Sequence, residues 1–435
     1  MKHKITALLL GLKPLDISEL IILLLTAVTI PFDWFVATRC LMLLILNTLI
    51  KLCYNSLTNH RKSSDSKHVE NSTPVRHTPI PMTRWAKLAL WGLLAYYGLY
   101  LISLLYTSNM ETAQNYLIRK LPFVGFALFA LLSDTSYFNQ KHLRLVLYSF
   151  TASLLVKFLI RFFIMLFTAK KIQFGSSFDP VHHTYMAMYI MMALAFLYGE
   201  LFHYGKQMSK GIIAILSISM ILLVADLVLV LSRTGIAGII VMAAAAVIHQ
   251  IIVTKNIKIG IIAIAIAVAC SAGIYLLLPE SSHRLTQTAS EIAHGDKSDV
   301  RFDIMGAAVD VIKENMPWGV GVGDRTDALM KHYNEIGNES LIKASYNPHN
   351  IYLDSILTIG IPGLLLLLTL FGLFYVVAFR RKDIAMLGWV FTVSFSGLFE
   401  ALFDRQMGIM YFAFFFVLFC ICRTDTPVQQ TASEF

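Results

Sequence analysis

Apolar stretches long enough to cross a bilayer recur along almost the whole chain, separated by short polar turns. At roughly 20 residues per crossing, candidate spans lie at 17–31, 36–54, 85–106, 117–133, 142–168, 183–202, 211–231, 235–253, 258–278, 350–379, 384–401 and 407–422. In hydrocarbon every backbone N–H and C=O must be satisfied within the protein, which leaves helices or closed barrels. Runs of this length and continuity are helical, because a barrel strand needs only about 10 residues of alternating character. The expected fold is therefore an all-α polytopic membrane protein of about twelve transmembrane helices. Composition agrees: 57% of residues are hydrophobic and 14% charged, against about 25% charged in soluble domains. The spans form a single transmembrane domain over 1–435.

Lysine and arginine set the expected orientation, since the cytoplasmic side retains them. Lys2 and Lys4, Arg61 to Arg76, Lys141 and Arg144, Lys206 and Lys210, Lys255 and Lys258, and Arg380-Arg381-Lys382 all fall on one side. That side holds a polar connector at 55–84, and Lys170-Lys171 is the exception to the pattern. The net charge of +9 is accounted for by topology, and a nucleic-acid partner is not expected without a basic folded face. The basic N-terminus lacks a small-residue cleavage site, so a retained first helix is expected. Cysteines 40, 53, 270, 420 and 422 lie in or beside the spans with no paired spacing, and read as packing residues. No internal repeat is apparent.

One long polar interruption, 279–349, is expected on the opposite, outer side. It carries seven Lys/Arg against eleven Asp/Glu. From Ser298 or Asp299 onward Phe302, Met305, Val309, Ile312 and Met316 recur at helical spacing, which predicts an amphipathic helix with those residues on its apolar face. Pro317-Trp318-Gly319-Val320-Gly321-Val322-Gly323 ends it. The glycine run lacks the Lys-Ser/Thr of a phosphate loop, so its expected role is shape.

Several residues on the same face carry candidate chemistry. Ser232-Arg233-Thr234-Gly235 puts an arginine in a tight turn between two spans, either snorkelling at the boundary or functional, and an arginine there runs against the positive-inside bias. His349 follows Tyr346-Asn347-Pro348 at the start of the tenth span, either as a surface or capping residue or as a base. Tyr346 and Asn350 read as an interfacial anchor and a helix-start residue, or as groups that orient His349 or an acceptor sugar. Glu400 and Arg405 bracket the end of the eleventh span, as an ion pair or as glycan contacts. His182 and His183 are adjacent, point in different directions on a helix, and make a poor metal pair; they are possible acceptor contacts.

Taken in order, Ser232-Arg233-Thr234-Gly235, Arg301 at the start of the external helix, Pro317-Trp318-Gly319-Val320-Gly321, His349-Asn350-Ile351-Tyr352-Leu353, Gly360 and Gly397-Leu398-Phe399-Glu400 resemble the O-antigen ligase and polymerase superfamily over about 175–420. The 55–84 connector and His182-His183 stand outside that pattern. The resemblance implies a bacterial inner-membrane glycosyltransferase with a periplasmic site, a donor glycan on undecaprenyl pyrophosphate, and neither metal nor other cofactor. The first reading is a ligase, with a lipid A-core sugar as acceptor. A polymerase that joins lipid-linked repeat units is the alternative.

The residue types suit such a reaction. Guanidinium groups of Arg233 and Arg301 can bind phosphate oxygens bidentately and stabilise the departing pyrophosphate. His349 has the pKa range of a base at neutral pH. A transporter or flippase of similar span count is the reading from another class; it would place ionisable groups in mid-span, where Arg161 and Asp226 are the candidates. Arg301→Lys keeps the charge but loses the fork, so a large fall in transfer rate is expected; near-normal turnover would reduce Arg301 to a source of positive field.

Overall fold

The computed structural model describes residues 12–65, 82–168, 181–230, 232–254 and 300–423. Within these the chain is helical: α1 Pro14–Thr29, α2 Trp34–Asp65, α3 Arg84–Ile102, α4 Met110–Leu132, α5 Gln140–Thr168, α6 His183–Tyr204, α7 Lys210–Val230, α8 Arg233–Thr254, α9 Val300–Glu314, α10 Arg325–Glu335, α11 Glu339–Ala344, α12 Ile351–Arg381, α13 Ile384–Ser396 and α14 Gln406–Ile421. Among the described residues 8 helices are long and apolar enough to cross a membrane, namely α2 to α8 and α12. The expected spans at 17–31, 384–401 and 407–422 are the shorter helices α1, α13 and α14. The expected span 258–278, Lys170-Lys171, Cys270 and the first part of the long polar segment lie outside the described residues. Helix α2 runs on to Asp65, into the stretch expected to be connector.

Two compact units divide the chain, one of residues 1–102, 115–157 and 403–435, the other of 103–114 and 158–402. In the first, charges that looked out of place in apolar spans are satisfied internally. Lys51 pairs with Asp16 at 2.7 Å and Glu19 at 2.9 Å, and Glu19 also accepts from Ser133 and Tyr137. Lys120 and Arg119, the two cations inside α4, donate to the carbonyls of Phe403 and Asp404. Burying such groups is tolerable because each has a partner. Phe123, Phe403 and Phe412 pack edge-on or tilted against one another. Cys40, Cys420 and Cys422 are buried as expected; Cys53, on the outer side of α2, is exposed.

The second unit is centred on α6, 83% buried against 22% for α7 and 11% for α8. Small residues make this possible, as they do between membrane helices generally: a Cβ on Gly235 would stand 2.6 Å from that of Ala187, and one on Gly388 2.2 Å from that of Ala195. Arg161 and Asp226, the mid-span pair that a transporter would use, are buried against one another with both carboxylate oxygens accepting from the same guanidinium nitrogen.

The described part of the long polar segment, 300–349, holds three helices, α9 to α11, where the sequence predicts one. Helix α9 falls where expected, but its buried face is rotated. Ile304, Ala307, Ala308, Val311 and Ile312 form the core with Leu329, Tyr333, Leu341 and Leu357, while Val309 and Met316 are exposed. The two alanines allow close approach to neighbouring helices, and Val309 and Met316 of the expected stripe turn outward.

Helix α12 is broken. Ile359 and Gly360 leave helical geometry, Gly360 with φ 71° and ψ −167°, a region open essentially to glycine alone. The freed groups are taken up by the glycine-rich segment: Val320 N–H donates to Leu357 O (2.8 Å), Gly321 N–H to Thr358 O (3.0 Å) and Ile361 N–H to Pro317 O (2.8 Å). The two backbones approach so closely that a Cβ on Gly360 would lie 2.1 Å from Pro317 O and one on Gly319 2.7 Å from Leu357 O. Gly360→Ala therefore carries about 1–3 kcal/mol of backbone strain plus this clash, and a marked fall in Tm is expected in detergent. Gly372→Ala, with open space around it, should be neutral or stabilise by up to about 1 kcal/mol.

Candidate active site

The turn from Asn347 to Asn350 is built to present one side chain. Asn347 accepts the backbone N–H of His349 at 3.0 Å, a local turn that asparagine supplies readily. His349 sits in the left-handed region at φ 45°, uncommon for a residue with a Cβ. Asn350 then caps α12, its side-chain oxygen accepting from Tyr352 N–H at 2.9 Å and Leu353 N–H at 3.0 Å. Its amide donates to Leu398 O at 3.1 Å, and Ile351 N–H donates to Gly397 O at 2.8 Å. A Cβ on Gly397 would meet Ile351 Cγ2 at 2.6 Å, so glycine is what lets these backbones meet.

This latch brings Glu400 to His349. Glu400 Oε2 lies 3.6 Å from His349 Nδ1, and Glu400 is buried whereas the imidazole is partly exposed. The separation exceeds a hydrogen bond, and Nδ1 makes none among the described residues; catalytic contacts of this kind commonly shorten when substrate binds. Glu400 thus faces the histidine, where an ion pair with Arg405 was one expectation; Arg405 is exposed at the N-cap of α14. Tyr346 stands beside the imidazole with ring centroids 5.8 Å apart. Its carbonyl accepts the Tyr333 hydroxyl at 3.2 Å, and burial pushes that hydroxyl up to about 12, so it stays a neutral donor.

A second tie fixes the external helices to α12. Arg325, the first residue of α10, pairs at 2.5 Å with Asp354, one turn into α12, and both are buried. This pair and the facing of Glu400 with His349 went unread in the sequence. The available signal was an aspartate inside an apolar span, and nothing along the chain indicates its partner 29 positions away.

The remaining candidates are placed by their helices. Arg233 is the first residue of α8 and Arg301 the second of α9; the backbone at these two positions is what the structure describes. The neighbours of Arg233 have structural tasks: Ser232 Oγ accepts from Gly235 N–H at 3.2 Å, and Gly235 packs on Ala187. Ala187 is four residues past His183, so the starts of α6 and α8 lie side by side. His182 is the N-cap of α6, with its ring centroid 3.9 Å from that of His183. Arg301 opens the helix whose Ile304, Ala308 and Val311 share a core with Leu357 of α12 and with the partly buried Tyr346. Among the described residues no group of three His, Cys, Asp or Glu side chains is placed to hold a metal ion.

These features define an all-α polytopic membrane protein with a histidine facing a buried carboxylate at the start of a broken helix, beside the cluster of short helices α9 to α11. Residues 218–368, about a third of the chain, match the family described as O-antigen ligase, and the match supports the O-antigen ligase superfamily. No curated protein matches the sequence. The matched stretch is narrower than the 175–420 of the sequence resemblance. It includes Arg233, Arg301, Tyr346, His349 and Asn350, and leaves His182, His183 and Glu400 outside. That match supports a membrane enzyme of the O-antigen ligase or polymerase type.

Because Asn350 both caps α12 and ties it to Leu398, its two roles can be separated. Asn350→Asp keeps the cap acceptor and loses the amide donor; Asn350→Ala loses both, at about 0.5–2 kcal/mol for the cap. Tm should fall in the order wild type, Asp, Ala. Equal Tm values for all three proteins would show that the latch contributes nothing.

Proposed function

We propose that the protein is an O-antigen ligase: it transfers a glycan from undecaprenyl pyrophosphate to a hydroxyl of a lipid A-core sugar at the periplasmic face of the inner membrane. The observation that carries the reading is His349 Nδ1 facing the buried Glu400 carboxylate at 3.6 Å, on a turn whose residues are otherwise occupied in presenting that ring. A carboxylate at Nδ1 favours the tautomer with its proton there, which leaves Nε2 able to accept one. Glu400 is then a positioning residue and His349 the base.

In the reaction the acceptor oxygen forms a bond to the anomeric carbon as the bond from that carbon to the pyrophosphate oxygen breaks. The acceptor's proton passes to His349 Nε2, and undecaprenyl pyrophosphate leaves with the bonding electron pair. Arg233 and Arg301 bind the leaving group, since hydrogen bonds to charged groups contribute about 1.5–3 kcal/mol each. Tyr346, Asn350, His182 and His183 are the candidate contacts for sugar hydroxyls. No metal or other cofactor is called for, because two guanidinium groups supply the charge stabilisation.

Purified protein in nanodiscs, given a lipid-pyrophosphate donor with either lipid A-core or a second lipid-linked repeat unit, tests the reading. Product with the first acceptor is expected. Product with the second alone would make the protein a polymerase, and none with either would overturn the enzyme assignment. His349→Ala and Arg233→Ala should abolish transfer with insertion intact. Glu400→Gln should lower kcat with little change in KM, as expected of a group that orients the base.

A further inference from the structure

The glycine-rich segment lies where two independent rulers place the membrane surface. Helix α12 ends at Arg380, Arg381 and Lys382, the kind of basic boundary that marks a membrane face. From there back to Ile361 is about 31 Å at 1.5 Å per residue, one hydrocarbon core of about 30 Å. The break at Ile359 and Gly360 therefore falls at the opposite face. Counting from another basic boundary, Arg84 and Lys87, the apolar span Arg84–Leu105 is 22 residues long and also reaches the opposite face at its end.

The 317–323 segment is hydrogen-bonded to both places. One end pairs with Leu357, Thr358 and Ile361, and at the other Val322 N–H donates to Ser103 Oγ at 3.1 Å and Gly323 N–H to Thr107 Oγ1 at 3.4 Å. Large apolar side chains on this strip point away from the protein: Trp318 is 64% exposed, Met316 49%, Leu105 87% and Tyr106 40%. Tyr106 and Trp318 are joined, the tyrosine hydroxyl donating to Trp318 O at 2.9 Å. Just beyond, Asp324 accepts from the backbone N–H groups of Ser108 and Asn109, so the strip turns polar on its far side. Tryptophan and tyrosine with an apolar body and a polar tip are the residues that settle at the lipid–water boundary.

We propose that Leu105, Tyr106, Met316 and Trp318 form an anchor that seats the glycine-rich segment in the lipid–water interface of the leaflet opposite the basic helix ends. It follows that the first turns of α12, Ile351 to Ile359, stand outside the hydrocarbon, carrying His349 up to about 13 Å beyond its edge. The anchor sets the height of the candidate site above the bilayer, and it rests on span lengths and exposure alone, independently of the reaction proposed.

Collision measurements on nitroxide labels in nanodiscs of phosphatidylethanolamine and phosphatidylglycerol test this. Labels are introduced by Met316→Cys, Trp318→Cys and Leu105→Cys in full-length protein lacking its native cysteines, with Asn334→Cys as the aqueous reference and Ile218→Cys as the lipid reference. Labels at 105, 316 and 318 should be accessible to oxygen and protected from a nickel chelate, between the two references. Nickel accessibility equal to that at 334 would overturn the proposal, as would protection from both agents, which means contact with protein. If the cysteine-free protein fails to insert, wild type and Trp318→Phe are compared by fluorescence in vesicles of brominated phosphatidylcholine. The quenchable share of tryptophan emission should fall in the variant, and an unchanged share would overturn the anchor. Loss or retention of glycan transfer leaves these readouts unaffected.

Discussion

A backbone polar group shut away from water without a partner costs several kcal/mol, and the break in α12 creates several at once. Leu357 and Thr358 lose helical partners for their carbonyls, and Ile361 for its N–H. Pro317, Val320 and Gly321 restore all three bonds. Because this repair needs two backbones in near contact, it needs glycine at 319 and 360. The segment between α9 and α10 is thereby joined by main-chain bonds to α12, and Arg325 with Asp354 adds a charged tie a few residues away.

The position of His349 follows from that connection. Its turn is held below by the cap on α12 and laterally by Gly397 and Leu398. Tyr333 and Tyr346 bind the preceding segment to the core of the external helices. A histidine in the left-handed region survives only where surrounding contacts fix it, and those contacts also bring in Glu400. Such over-determination is what a base needs if it is to meet an acceptor hydroxyl in one orientation.

The match to the O-antigen ligase family lies in the stretch 218–368, which carries both arginines and the histidine. The glutamate lies beyond it. Only the return of the chain through α13 places Glu400 beside the matched segment, so a reading confined to that segment would describe a base without its acidic neighbour. Likewise, the internal pairing of Arg161 with Asp226 ties α5 to α7.

Hydrophobic run length, basic boundaries and helix-stopping residues are local properties, so the sequence by itself determined the helical membrane class, most span positions, α9, and the candidates Arg233, Arg301 and His349. It misjudged which face of α9 is buried, because Ala307 and Ala308 matter for close approach more than Val309 and Met316 do for hydrophobicity. It gave no sign of α10 and α11, whose short polar turns lack a strong apolar stripe and are stabilised by the core formed by Leu329, Tyr333 and Leu341. The facing of Glu400 with His349, the tie of Arg325 to Asp354 and the repair of α12 by the glycine-rich segment were decided only by tertiary structure. Each joins residues tens of positions apart, and the pattern along a chain records how each residue meets its medium without recording which distant residue it meets.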